Sequence, residues 1–128
     1  MKHPEIPAAV LQFISQRIDT VPELEALLIM STEDRRAWTV DDIASRTYVT
    51  TASADAVLQS LQRRRLISAD EQGNQFYFSP ASDEERQIVL QTAIAYRAHL
   101  IPIATFIHKK AAPPVQEFAR AFNLKKDK

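Results

Sequence analysis

Arginine concentrates once in the body of this chain, as Arg63-Arg64-Arg65. A guanidinium is a planar fork of donors that suits phosphate oxygens and guanine edges alike, so such a run raises nucleic-acid contact as its first chemistry. Thr51, Ser53 and Gln59 precede the run with hydroxyl and amide groups able to meet phosphates or bases, and Arg46 stands a little further upstream. Arg46, Thr51, Ser53, Gln59, Arg63 and Arg64 are therefore the candidate DNA contacts. A second reading stays open, because basic residues at a helix C-terminus offset its dipole and lay their stems over the core. One contiguous basic face formed by Arg46, Arg63 and Arg64 would favour the first.

Other chemistries find less support. His3, His99 and His108 are dispersed, none is spaced i, i+4 from a carboxylate, and there is no cysteine, so neither a metal site nor a disulfide framework is expected. No serine or histidine sits in a strand-turn-helix elbow, and no glycine-rich loop could cradle a phosphate. The expectation is a binding protein without cofactor, and not an enzyme.

The chain has 128 residues, enough for one domain with its own core. Hydrophobic residues make up 45% and charged residues 25%, and 16 basic side chains balance 16 acidic ones. The two halves do not separate that charge: residues 1–65 hold 8 Lys/Arg against 9 Asp/Glu, and residues 66–128 hold 8 against 7. Phosphate neutralisation supplies most of a DNA binder's affinity, so zero net charge implies weak, strongly salt-dependent binding to double-stranded DNA, or a protein partner instead. Apolar runs stop well short of the ~20 residues of a membrane span, and the N-terminus has no signal-peptide core. A cytoplasmic protein with no membrane partner is the expectation.

The elements that must position these residues follow from periodicity. Val10, Phe13, Ile14 and Ile18 recur at helical spacing, predicting a helix over about Pro7–Asp19. Thr20-Val21-Pro22-Glu23 starts a second helix, whose stripe is Leu24, Leu27 and Leu28. Ala37-Trp38 reads as extended, with Trp38 sealing a sheet edge, and Thr39 as the N-cap of a third helix with Ile43, Ala44 and Thr47 inward. After the turn Tyr48-Val49-Thr50-Thr51, a helix from Ser53 to Arg64 turns Ala54, Val57, Leu58 and Leu61 inward and Ala56, Gln59, Ser60 and Arg63 outward. Gly73, the only glycine, lies in Asp70-Glu71-Gln72-Gly73-Asn74 between two apolar runs, which is a hairpin signal. Ser82 with Glu85 has capping-box spacing, opening a long helix that Pro102 should kink or break. Lys109-Lys110 suit that helix's C-terminus and Pro113-Pro114 end it. A terminal helix over Val115–Leu124 carries Phe118 and Phe122.

From Val21 to Pro80 the chain resembles bacterial winged helix-turn-helix transcriptional regulators of the MarR and ArsR types. The resemblance rests on Pro22-Glu23-Leu24-Glu25-Ala26-Leu27-Leu28, Trp38-Thr39-Val40-Asp41-Asp42-Ile43-Ala44, Ala54-Asp55-Ala56-Val57-Leu58-Gln59-Ser60-Leu61 and Arg64-Arg65-Leu66-Ile67. Glu117 to Phe122 is also similar to small bacterial winged-helix proteins. The implied fold is mainly α with a small β-hairpin wing, a winged helix-turn-helix with an added N-terminal helix and a long C-terminal helix. Its parts are residues 7–20, a head over 21–80, and residues 82–124, all in a single domain. Two departures stand out: Arg65 occupies a position where these families usually have glycine, and the wing carries Asp70 and Glu71 with no Lys or Arg between Leu66 and Ser82.

Val89, Ala93, Tyr96, Leu100, Ile103 and Ile107 are spaced 4, 3, 4, 3 and 4 along the long helix, as in a bundle or coiled-coil seam. Leu90, Ile94 and Ile101 form a neighbouring stripe. The resemblance implies that helices outside the head build a homodimer, with the seam as its candidate interface. Cover of the second stripe by the first and terminal helices is the alternative within one chain. The function implied is transcriptional regulation through DNA, with the Ser53–Arg64 helix in the major groove. The alternative is a winged-helix protein-interaction module without DNA binding, and a small-molecule pocket between long helix and head is compatible with either.

Overall fold

The computed structural model describes residues 6–111. Their order is α1 (Ala8–Arg17), α2 (Val21–Ser31), α3 (Val40–Thr47), α4 (Thr51–Arg63), β1 (Ile67–Ala69), β2 (Phe76–Phe78), α5 (Asp83–Ala98) and α6 (Leu100–Ala111). This is a winged helix-turn-helix with a helix before the head and two helices after it. The helix expected over Val115–Leu124, with Phe118 and Phe122, lies outside the described residues.

Side-chain oxygens start four of the helices. Thr20, Thr39, Thr50 and Ser82 accept from the backbone N–H groups of Glu23, Asp42, Ser53 and Glu85 at 3.0–3.2 Å, satisfying donors that a helix leaves unpaired. At α3 the box closes, since Asp42 Oδ2 accepts in return from Thr39 N. At α5 it does not: Glu85 reaches one residue further, to Ala81 N at 2.8 Å. Helix α4 begins at Thr51, two residues before the expected start, because Thr50 supplies the cap.

Inward stripes of α1, α2 and α4 meet in one core. Ile14, Ile18, Leu24, Leu27, Met30, Leu58 and Leu61 are fully buried there, and Ile103 from α6 joins them. Each such side chain contributes about 1.5–3 kcal/mol of burial. Trp38 ties the wing to this core. Its backbone N–H donates to Phe76 O and its carbonyl accepts from Phe76 N, both at 2.8 Å, making a one-residue third strand beside the β1–β2 hairpin.

The hairpin register pairs Ile67 with Phe78, Ser68 with Tyr77 and Ala69 with Phe76. Asp70 Oδ1 closes the turn by accepting from Asn74 N at 2.8 Å and Gln75 N at 3.2 Å, so one of the two wing acids holds the loop. Gly73 sits at φ +75°. Arg65, standing where glycine was expected, adopts φ +64°: the backbone requires the left-handed turn whichever residue occupies it.

The long helix breaks. Proline at 102 has no N–H for Ala98 O, and α5 ends at Ala98, with His99 non-helical before α6 starts. Pro102 thereby falls in the first turn of α6, where its missing donor would have been unpaired anyway.

The left-handed conformations at Arg65 and Gly73 are testable by thermal unfolding. Gly73→Ala meets no atom within 4 Å, so its expected loss of about 1–2 kcal/mol is backbone strain alone. Arg65→Gly is expected to stay within about 0.5 kcal/mol of wild type, because relieved strain and a more flexible unfolded chain oppose each other.

Candidate nucleic-acid interface

Helices α3 and α4 and the turn between them present the surface on which the candidate contacts were expected. Helix α3 ends at Tyr48, whose backbone is left-handed at φ 59° and whose side chain is 94% exposed. An aromatic residue in that conformation is unusual, and sequence reading assigned it no role beyond the turn. From there α4 turns Thr51, Ser53, Gln59 and Arg63 to solvent, together with Ala52, Asp55, Ala56 and Gln62. Ser60, expected to face outward with them, is buried and accepts from Arg64 Nε at 3.4 Å.

The structure does not bring Arg46, Arg63 and Arg64 onto one basic face. Arg46 lies over the Trp38 ring, its guanidinium 5.3 Å from the centroid, beside Thr32 and Leu100. Those residues mark the C-terminal end of α2 and the start of α6. Arg64 instead pairs with Asp19, and Asp19 also accepts from Lys110 Nζ at 3.1 Å, at the opposite ends of the same two helices. The 11 residues of α2 alone span about 16 Å. Of the three arginines, Arg46 and Arg63 are exposed and pair with no carboxylate among the described residues, and of these two only Arg63 stands on α4. Arg65, next to Arg63, is likewise exposed and without such a partner.

Arg64 belongs to a chain of contacts that sequence spacing gave no means of finding, because its members are far apart along the polypeptide. Lys110 Nζ also donates to Ile18 O at 2.6 Å. Arg17 donates to Arg64 O and to Glu85 Oε2, each at 2.6 Å. The network thus joins the α1–α2 loop, the end of α4, the start of α5 and the end of α6. Burial acts to raise the Asp19 pKa, but the Lys110 hydrogen bond and the Arg64 and Lys110 charges outweigh it and hold the carboxyl below its ordinary value.

The expected seam divides. Val89, Ile103 and Ile107 are fully buried within the chain, so they serve its own core, because α5 and α6 pack on α1 and α2. Ala93 and Tyr96 are half-buried, and Leu100 is exposed. Tyr96 donates to Glu25 Oε2 at 2.8 Å; burial and then the Glu25 carboxylate push its hydroxyl above the ordinary tyrosine value. The neighbouring stripe is the one left open, with Ile94 66% and Ile101 69% exposed and Leu90 beside them. On the other flank of α5, a cleft of about 470 Å³ separates it from the head. Leu28, Ile29 and Leu100 give the cleft an apolar lining, Tyr48 and Tyr96 stand in its walls, and Arg46 and Arg97 supply cations.

Among the described residues no group of three His, Asp or Glu side chains could hold a metal ion, and no helix is long and apolar enough to cross a membrane. No family model and no curated protein matches the sequence. Among solved structures, the chain is similar to the crystal structure of the YusO protein from Bacillus subtilis. The two share 18% identity with a TM-score of 0.51, over 91% of this chain and 85% of that one. At that identity the likeness is one of fold.

The Asp19 network has a pH signature. A carboxyl whose pKa is lower in the folded than in the unfolded chain contributes stability that is present above the unfolded value and lost as pH falls through the folded one. Melting temperature should therefore drop more steeply below about pH 4 in wild type than in Asp19→Asn. Coincident acid limbs would show that Asp19 is not held ionised by its partners.

Proposed function

We propose that the chain is a DNA-binding transcriptional regulator that acts as a homodimer in the cytoplasm and carries out no catalysis. The observation that supports this reading is the outward face of α4. Thr51, Ser53, Gln59 and Arg63 stand at the second helix of a helix-turn-helix with no described element covering them, in the position from which such a helix enters a major groove. Arg63 is the base or phosphate contact of the group, and the hydroxyls of Thr51 and Ser53 fix register on the backbone. The cleft beside Tyr48 and Tyr96, with Arg46, Arg97 and Glu25 at its wall, is where a small organic molecule would bear on the α3–α4 turn.

A specific observation also favours the alternative of a protein-interaction module. The wing offers no cation, and two of the three expected arginines are engaged elsewhere. Titration of a generic duplex separates the two. Weak binding at low salt that falls steeply as salt rises is the expected result; no binding even near ~10 mM salt would leave the protein-interaction reading in its place.

Paired measurements on α4 test the contact residue itself. Arg63→Ala is expected to lose about 1–3 kcal/mol of DNA binding while its melting temperature stays near wild type. Leu61→Ala should lose about 2–5 kcal/mol of stability through the cavity it opens. An early-melting Arg63→Ala would make that arginine structural and remove the assignment.

Self-association is assigned here to the open stripe of α5 and α6. Sedimentation should show a dimer at micromolar concentration. Ile94→Glu should dissociate it while leaving the fold intact, whereas Ile103→Glu, with its carboxylate inside the core, should prevent folding. A folded Ile94→Glu that remains dimeric would place the interface elsewhere.

A further inference from the structure

Arg63-Arg64-Arg65 is a run of three cations at the end of the candidate reading helix, and one of the three is withheld. Arg64 is gripped at three points: its guanidinium pairs with Asp19, its Nε donates to Ser60 Oγ at 3.4 Å, and its carbonyl accepts from Arg17 at 2.6 Å. Asp19 is more than half exposed, at 54% of its side chain, so the carboxylate is open to solvent and to competing ions. It also collects Lys110 from α6 at 3.1 Å. Two cations converging on one acidic group is the arrangement a backbone phosphate meets at a protein surface. The two cations lie lower, with 25% of the Arg64 and 19% of the Lys110 side chain exposed, so the cluster is open to water on its Asp19 side, and a carboxylate screened there by solvent is the exchangeable member.

We infer that Asp19 is an autoinhibitory contact: it stands in for a DNA phosphate, keeps Arg64 and Lys110 neutralised, and so lowers the head's affinity for nucleic acid. This inference rests on the DNA-binding reading above and adds its regulation. The acid sits in the three-residue stretch Ile18-Asp19-Thr20 that separates α1 from α2, where neither helix needs a carboxylate. Thr20 already caps α2, and it is the Asp19 backbone N–H that meets Glu23 Oε1 at 2.9 Å. Removing the charge therefore leaves the helix start intact. It also leaves the other link to α4, from Arg17 through the Arg64 carbonyl, in place. The device explains how a basic run can coexist with weak binding. A phosphate must displace Asp19 before Arg64 can contribute, so the contact sets a threshold that only a well-seated duplex crosses.

The test compares a generic duplex across a salt series for wild type, Asp19→Asn, Arg64→Gln and Asp19→Asn/Arg64→Gln, with a melting curve for each. Asp19→Asn is expected to bind roughly five- to tenfold more tightly near 0.1 M salt and to steepen the log–log salt slope by about one, the share of one added phosphate contact. Arg64→Gln alone should match wild type in affinity and slope, and in the double variant the gain should vanish. Three results overturn the inference while sparing the DNA-binding reading. They are an Asp19→Asn that binds no better than wild type although it melts normally, a gain that persists without Arg64, and an Arg64→Gln that by itself flattens the slope, which would mean that Arg64 already touches phosphate with Asp19 present. The last holds even if Asp19→Asn fails to fold. Absence of binding by wild type and by a folded Asp19→Asn near ~10 mM salt overturns the reading itself and this inference with it.

Discussion

Two reciprocal hydrogen bonds between Trp38 and Phe76, both 2.8 Å, hold the head together. A hairpin with strands of three residues is marginal by itself, and β1–β2 carries one glycine and a six-residue connection. What fixes it is Phe76, which pairs with Ala69 on one side and Trp38 on the other. Both aromatic rings are fully buried, so the bridge joins the α2–α3 loop, the wing and the helical core at one point. The arrangement leaves Trp38 Nε1 without an acceptor among the described residues, a penalty of about 1–3 kcal/mol. Burial of the largest side chain in the protein and the Arg36 guanidinium 3.9 Å from its ring centroid act against that penalty. The wing is thus positioned from the core outward and its loop is free to vary, which is why Asp70 could be given to closing the turn.

A second constraint comes from Pro102. An unbroken helix from Asp83 to Ala111 would run past the head as a straight rod. The break at His99 redirects α6 so that Ile103 and Ile107 enter the core and Lys110 reaches the α1–α2 loop. The same change of direction divides the apolar residues of the two helices. Those on the inner side complete the chain's own core, and Leu90, Ile94 and Ile101 remain outside.

Much of this was legible in residue order, because it depends on local rules. Thr39 and Ser82 as caps, the helix start at Thr20-Val21-Pro22-Glu23, the hairpin at Gly73, the extended Trp38 and the break ahead of Pro102 each follow from local conformational or hydrogen-bonding preferences. Even the departure at Arg65 was legible as a place where glycine belongs, and the φ of +64° gives the reason. The candidate site was less legible. Spacing on α4 put Gln59 and Arg63 outside correctly, but Ser60 fell on the buried edge because the Arg64 side chain folds back over it. The seam failed for a related reason: a 4, 3 repeat says that a stripe will be covered, and cannot say whether the cover is α1 and α2 or another molecule. Arg46, Arg64, Asp19 and Lys110 find their partners on elements remote in sequence, and no periodicity encodes that.

Net charge of zero made DNA binding look weak, but the sum hides how the acids are distributed. Asp42 serves the α3 cap, Asp70 the wing turn, Asp34 pairs with Arg86, and Glu85 with Arg17. These carboxylates are committed to the fold, and with them most of the arginines they neutralise. At a Debye length of about 8 Å, a phosphate approaching α4 senses its near neighbours far more than the whole-chain total. Those neighbours are Asp55, Arg63 and Arg65, with Arg64 one displacement away. The quantity that governs binding is therefore the local balance at the end of α4, and a single carboxylate in the α1–α2 loop is enough to change it.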